Sequence, residues 1–197
     1  MDHYESVCRY HHISLPETFN FGRDVVDHMA QNKDKIALIW CNDCNTERVL
    51  TFQEIADSSN QVANWLIEQD VSQGDRVIVM LPRIPEWQIC LTACLKLGAV
   101  PIPCITMLTE KDIAYRMDHS GATAVITTAA QTSKFQTYLP TLKAALAIGK
   151  TVAGWSDYEL ISDQDKRFEC CDLCLLYTSD AADDSLRVDL GGRRIIK

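Results

Sequence analysis

Nowhere does the sequence stay apolar for the roughly 20 consecutive residues a membrane-crossing helix needs. Basic residues are in deficit, with 19 Lys and Arg against 27 Asp and Glu, a formal net charge of −8. That balance excludes a nucleic-acid groove and an anionic membrane surface as partners. The opening Met1-Asp2-His3-Tyr4-Glu5-Ser6 has neither the basic start nor the apolar stretch of a secretory signal. No G-x-G-x-x-G follows a strand pattern, which weakens any dinucleotide-binding reading. There is no internal repeat. Cysteine alone is abundant, at nine, but it falls in apolar segments without the regular spacing of a secreted disulfide scaffold. A reducing cytoplasm is the expected setting.

What is present suits one ordinary soluble domain. The 197 residues suffice for a real core, with apolar content of 47% and charged content of 23% in the usual range. The organising stretch is Gly74 to Pro103. Val77 to Leu81 is a short continuous apolar run, as in a strand buried on both faces of a parallel sheet. Ile84, Trp87, Leu91, Cys94, Leu95 and Gly98 then recur at helical spacing, with Pro85 and Glu86 suited to a first turn. Val100 to Cys104 opens the next strand, completing a right-handed strand–helix–strand unit.

The same alternation runs through the chain. Asn20 is placed to cap a helix with Phe21, Val25 and Met29 inward. Lys35 to Trp40 and Arg48 to Leu50 read as paired strands around a polar turn at 42–47. Thr51 and Glu54 form a capping box, opening a helix with Ile55, Val62, Ala63 and Leu66 on one face. Thr109 and Asp112 repeat the cap before a helix striped by Ile113 and Met117, which Gly121 ends. Ala124 to Thr128 is another buried strand, and a helix is expected between Ser133 and Leu146, kinked or split by Pro140. The fold class is α/β, a mostly parallel sheet flanked by helices.

Four stretches also carry a family resemblance. Leu95-Lys96-Leu97-Gly98-Ala99-Val100-Pro101-Ile102-Pro103 resembles a core motif of adenylate-forming enzymes. Leu81-Pro82-Arg83-Ile84-Pro85-Glu86-Trp87 and Phe19-Asn20-Phe21-Gly22-Arg23-Asp24-Val25-Val26-Asp27 are similar to stretches of medium-chain acyl-CoA synthetases, and Leu50-Thr51-Phe52-Gln53-Glu54-Ile55 resembles a third motif of the superfamily. Together they span about residues 13 to 130 in the family's order. The resemblance implies an ATP-dependent ligase that activates a small-molecule carboxylate and passes it to coenzyme A, with ATP, Mg²⁺ and coenzyme A as cofactors. It implies an incomplete N-terminal domain, because the family's phosphate loop, acyl-pocket strands, ribose-binding Asp and C-terminal Lys all lie further downstream. A catalytically silent fragment is expected, binding none of these cofactors well. Open sheet edges and an apolar face left bare imply poor solubility or molten behaviour.

Residues 174 to 197 differ in character. Cys174 to Asp183, and then Val188 to Lys197, resemble a translated sequencing adapter interrupted by a variable index at 184–187. The expected organisation is a lead-in over 1–18, a partial AMP-binding domain over 19–173 and a non-native tail over 174–197. Tyr177-Thr178-Ser179 begins like the family's phosphate loop, but Asp180 and Asp183 stand where its glycines belong. Their carboxylates repel phosphate, and the backbone loses its permissive residues. No nucleotide site is assigned there.

Other candidates carry little. Cys41-Asn42-Asp43-Cys44 suggests a small redox or metal protein, yet no second ligand pair accompanies it and a hairpin turn fits better. Cys90, Cys94 and Cys104 read as core, and Cys170-Cys171 adjoins the tail. His11-His12, His28 and His119 form no triad, and Asp75 and Arg76 read as turn-fixing. Arg83 is the polar residue worth testing, since α/β folds bind ligands at the carboxyl ends of strands, although an ion pair with Glu86 is the simpler role. The resemblance raises Lys134 as a contact for a coenzyme A phosphate, against a solvated helix face. A self-contained α/β ligand-binding module is the remaining alternative. No catalytic, cofactor-binding or metal residue is assigned.

Overall fold

The computed structural model describes residues 16–173. Readings placed on residues 1–15 and 174–197, among them His11-His12 and the adapter-like tail, lie outside them. Asn20–Asp172 form one compact unit. In the unit made by the chain ends, the Phe19 N–H donates to the Leu173 carbonyl at 2.9 Å.

The main sheet is parallel throughout. Strands β3 (Arg76–Met80), β4 (Val100–Pro103), β5 (Ala124–Thr128), β6 (Ala144–Ile148) and β7 (Ser156–Asp157) lie in the order β4-β3-β5-β6-β7. Residues Val77 to Met80 are fully buried because each face of β3 is covered. Val77 and Val79 point into a core with Ala124, Ile126 and Leu146, closed by α2 (Phe52–Glu68) and α3 (Pro85–Leu97). Ile78 and Met80 face the opposite layer, where Ile113 and Met117 of α4 (Glu110–Ser120) pack with Phe135 and Trp155. A strand without a wet face has no reason to alternate polar residues, hence the continuous apolar run.

Local chemistry sets the helix ends. At α2 the Thr51 hydroxyl accepts from the Glu54 N–H, and the Glu54 carboxylate accepts from the Thr51 N–H at 2.7 Å. Thr109 and Asp112 do the same for α4. Pro85 occupies the first turn of α3, and Gly98 ends it in the left-handed region at φ 76°. The separate antiparallel hairpin joins β1 (Ile36–Cys41) to β2 (Glu47–Thr51). Its turn is held by the Asn42 side-chain oxygen, which accepts the N–H groups of Cys44 and Thr46. Among the described residues no helix is long and apolar enough to cross a membrane.

Three expectations are corrected. Between Ser133 and Leu146 there is no α-helix; short 3₁₀ turns at Ala129–Phe135 and Leu139–Thr141 lead directly into β6. Pro140 breaks the path, and the five apolar residues of β6 pair with β5, an outcome that local periodicity cannot separate from a helix. The first helix buries Gly22, Val26 and Ala30 rather than Phe21, Val25 and Met29. Gly22–Asp27 winds as a π-helix before α1 (His28–Ala30), and its wider turn rotates the inward face. Helix α3 buries Ile89, Cys90, Ala93, Cys94 and Leu97, leaving Leu91 and Leu95 half-buried. It lies between the sheet and α2, so most of its circumference is covered.

Candidate functional site

Parallel α/β sheets present their ligand crevices beyond the carboxyl ends of the strands. Here the loops leaving β3 and β4 meet the β1 strand around a cleft of about 430 Å³. Its walls include Leu38 and Trp40 of β1, Leu81 and Ile84 after β3, Trp87 of α3 and Ile105 after β4. The lining is apolar except for Arg83 and Gln88.

The loop from Leu81 to Pro85 is held in one shape by two prolines and by two hydrogen bonds. The Ile84 N–H donates to the Pro82 carbonyl at 2.8 Å. The Trp40 indole N–H donates to the Arg83 carbonyl at 2.6 Å, fastening the hairpin to the loop. Arg83 does not pair with Glu86, contrary to the simpler expectation. Glu86 takes Arg48 of β2 at 2.7 Å instead, and among the described residues Arg83 enters no ion pair. The guanidinium of Arg83 is exposed at the rim of the cleft.

Behind the sheet lies a second polar centre. The Lys96 side chain is fully buried, its ammonium 2.6 Å from Asp27 Oδ1 and 2.6 Å from Asn60 Oδ1. Asn60 also donates to the Lys166 carbonyl at 2.7 Å, while Asn64 donates to the carbonyls of Asp165 and Arg167. Gln61 holds the carbonyls of Ser162 and Gln164. Asn20, wholly buried, donates to the carbonyls of Leu95, Lys96 and Cys171. Residues 162–172 have no strand partner for most of their length, and these amide side chains satisfy their backbone instead. Lys96 stood in a quoted motif without a role; the available signal was a single cation inside an otherwise apolar helix.

The remaining candidates settle into structural places. Lys134 is neither solvated nor free for a ligand, because its ammonium donates to the carbonyls of Thr106 and Leu108 at 2.9 and 2.8 Å. Asp75 accepts from the Ser72 N–H and from Lys143, and the Arg76 guanidinium donates to the carbonyls of Gly74, Ser120 and Gly121. His28 and His119 are exposed, the latter stacked on Tyr115 at 5.5 Å. Cys41 ends β1 and Cys44 lies in the hairpin turn, both exposed. Cys90 and Cys94 are buried, and burial pushes the Cys94 thiol up to about 12.

Residues 25–179 match the AMP-binding enzyme family. The chain belongs to that family. Among AMP-binding relatives, the mitochondrial acyl-coenzyme A synthetase ACSM3 of Homo sapiens is 41% identical over 132 residues, covering 63% of this chain and 22% of the relative. The mitochondrial acyl-coenzyme A synthetase ACSM5 of Rattus norvegicus is 34% identical over 170 residues, covering 78% of this chain and 29% of the relative. This chain thus spans less than a third of either protein. In three dimensions an acyl-CoA synthetase of Brucella canis superposes with a TM-score of 0.76 at 23% identity, over 87% of this chain and 34% of that one. An anthranilate CoA ligase, AuaEII, solved with anthranoyl-AMP, gives 0.68 at 25% identity, over 80% of this chain and 30% of that one. The α/β sheet flanked by helices is therefore the fold of this family's N-terminal region, as the motifs implied.

The groups such enzymes imply do not fit the described residues. No three His, Cys, Asp or Glu side chains converge among the described residues to hold a metal ion. The loop after β3 has prolines at 82 and 85, which lack an N–H, and no glycine. A phosphate cradle needs consecutive backbone N–H donors that converge, and this loop cannot supply them.

Proposed function

We propose that the chain is the front portion of an acyl-CoA synthetase acting on medium-length carboxylates. In the whole protein the carboxylate oxygen attacks the α-phosphate of ATP, forming an acyl-adenylate and releasing pyrophosphate. The coenzyme A thiol then takes the acyl group and AMP leaves. ATP, Mg²⁺ and coenzyme A would be held by residues outside those described. The observation that carries the reading is the 41% identity to an acyl-coenzyme A synthetase over 132 residues, within a family match over 25–179.

What these residues contribute is scaffold. The five-stranded sheet presents its loops at one end, and the amide side chains of α2 fix the path of residues 162–172 toward the part of the chain where the family carries its phosphate loop. We read 19–173 as the partial domain and 174–197 as adapter-derived, and the 197-residue product as silent. The free cysteines among the described residues suit a reducing compartment, either the cytoplasm or the mitochondrial interior named for the relatives.

Two measurements test this. The chain as given, supplied with ATP, Mg²⁺, coenzyme A and carboxylates from acetate to decanoate, should release no pyrophosphate; turnover would refute its silence. The reading frame recovered from source DNA across the Leu173 codon should continue into a phosphate loop. Its product should release pyrophosphate only when a carboxylate is present. A product that folds and does not do so overturns the ligase reading.

A further inference from the structure

The cleft between the hairpin and the β3–α3 loop has features of a ligand site that the scaffold role leaves unused. Its volume of about 430 Å³ is that of a small-molecule pocket. Trp40 and Trp87 supply broad apolar walls, with Leu38, Leu81, Ile84 and Ile105 beside them. No carboxylate lines it, on a chain whose net charge is −8. The only charged side chain in the lining is Arg83.

Three arrangements keep that guanidinium available. Glu86, the carboxylate one helical turn away, is already paired with Arg48 at 2.7 Å. The Trp40 indole N–H binds the Arg83 carbonyl, so the backbone is fixed while the side chain stays exposed. Pro82 and Pro85 restrict the loop, which lowers the ordering cost of binding. An apolar slot with one unpaired guanidinium at its rim is complementary to an apolar body ending in a carboxylate, whose two oxygens match the guanidinium fork.

We propose that this cleft binds a monocarboxylate with an aliphatic body, Arg83 taking the carboxylate and the two tryptophans the chain. This rests on the ligase reading only for why such a ligand would be at hand; the site itself stands on its lining and charge. Arg83 is a specificity-determining residue in this proposal, and no bond is made or broken.

The experiment is a titration of the full 197-residue chain with octanoate, followed by tryptophan emission, with octanol and octylammonium as probes of equal tail. Octanoate should saturate the signal and octylammonium should not. Arg83→Met, at an exposed position, should weaken octanoate by roughly tenfold, the size of one charge-assisted hydrogen bond, and leave octanol unchanged. Ile105→Asp, also exposed, should weaken both octanoate and octanol. No saturable response to octanoate, equal binding of octylammonium, or octanoate binding indifferent to Arg83→Met would each overturn the site. So would sedimentation showing that a second copy occupies this face. Pyrophosphate release by the longer protein plays no part in this readout, so the ligase reading and the cleft can fail separately.

Discussion

Lys96 places its ammonium 2.6 Å from the Asp27 carboxylate with none of its own side chain exposed, whereas the Asp27 side chain is 32% open to water. The two partners therefore stand differently when the other is removed. Asp27→Leu leaves a buried cation with only Asn60 Oδ1 and the Ala56 carbonyl, and should cost about 3–5 kcal/mol. Lys96→Met keeps the stem volume and lets Asp27 turn to water, and should cost only about 1–2 kcal/mol, mostly from the acceptor left on Asn60. Urea unfolding of both variants checks the order; an equal or reversed loss would show that the pair is not the anchor.

The same lysine stem constrains Gly22. A Cβ built there lands on the Lys96 side-chain carbons, closer than packed atoms approach. Lys96 is held at its far end by Asp27 and Asn60, so it cannot swing away. Gly22→Ala should destabilise by about 1–3 kcal/mol through overpacking. Combined with Lys96→Ala, most of that increment should vanish, which a double-mutant cycle in urea reads directly.

Residues 162–172 should come loose without the side chains that hold their carbonyls. Gln61→Ala with Asn64→Ala removes four such hydrogen bonds from the surface of α2. Losing even two at about 1 kcal/mol each raises local opening on the order of 30-fold. Lys166 and Arg167 sit inside this stretch, so trypsin reports on it. Cleavage after them should be slow in the parent and faster in the variant, with the helical circular dichroism unchanged. Equal rates would mean that the amides do not hold the segment.

How far these features were legible depends on the range of the interaction. Thr51 with Glu54, Thr109 with Asp112, and Gly98 and Gly121 act within one turn of chain, and each set a helix end where its spacing implied. Ala144–Ile148 could not be read this way, because five apolar residues suit either state and only pairing with β5 decides. Glu86 was expected to meet Arg83 because both lie on one loop and helix. Its partner comes from β2, brought over by the hairpin, and local spacing carries no trace of that. Lys134 was misplaced for the same reason, its acceptors belonging to the β4–α4 loop. Arg83 was found from its position after a strand, but Trp40 as the facing wall was not.

Acid should weaken the fold through carboxylates that their partners hold ionised. The Thr109 hydroxyl and N–H keep the Asp112 carboxyl below its usual range, and the Arg23 guanidinium does so for Asp24. A carboxyl depressed in the folded state contributes stability above its unfolded value, near 3.9, and that contribution is lost as pH falls through the folded value. Urea midpoints should thus hold steady from pH 7 to about 5 and fall below about 4, the ordinary Asp range. Asp112→Ala should lower the midpoint at pH 7 and make the acid fall shallower. A slope unchanged by that variant would remove the capping box from the account.

Thiol reactivity offers the sharpest check on whether this chain packs as described. The sequence led to an expectation of molten behaviour, because sheet edges and an apolar face would be left bare. The structure does expose Ile36, Ile39 and Val49 on the hairpin and Met107 after β4, yet it closes both faces of the main sheet. Cys90 and Cys94 lie wholly within the core on α3, and burial pushes both thiols up, Cys94 to about 12. The reactive species is the thiolate, so at pH 8 these two should resist a disulfide reagent on both access and ionisation. Cys41 and Cys44, on the hairpin, are exposed and should react at once. Mass spectrometry of peptides after timed labelling separates the sites. Protection of Cys90 and Cys94 that is lost only at the urea midpoint establishes a packed core despite the exposed hairpin face. Labelling of all four within seconds in native buffer would mean that the sheet and α3 do not hold together in this chain.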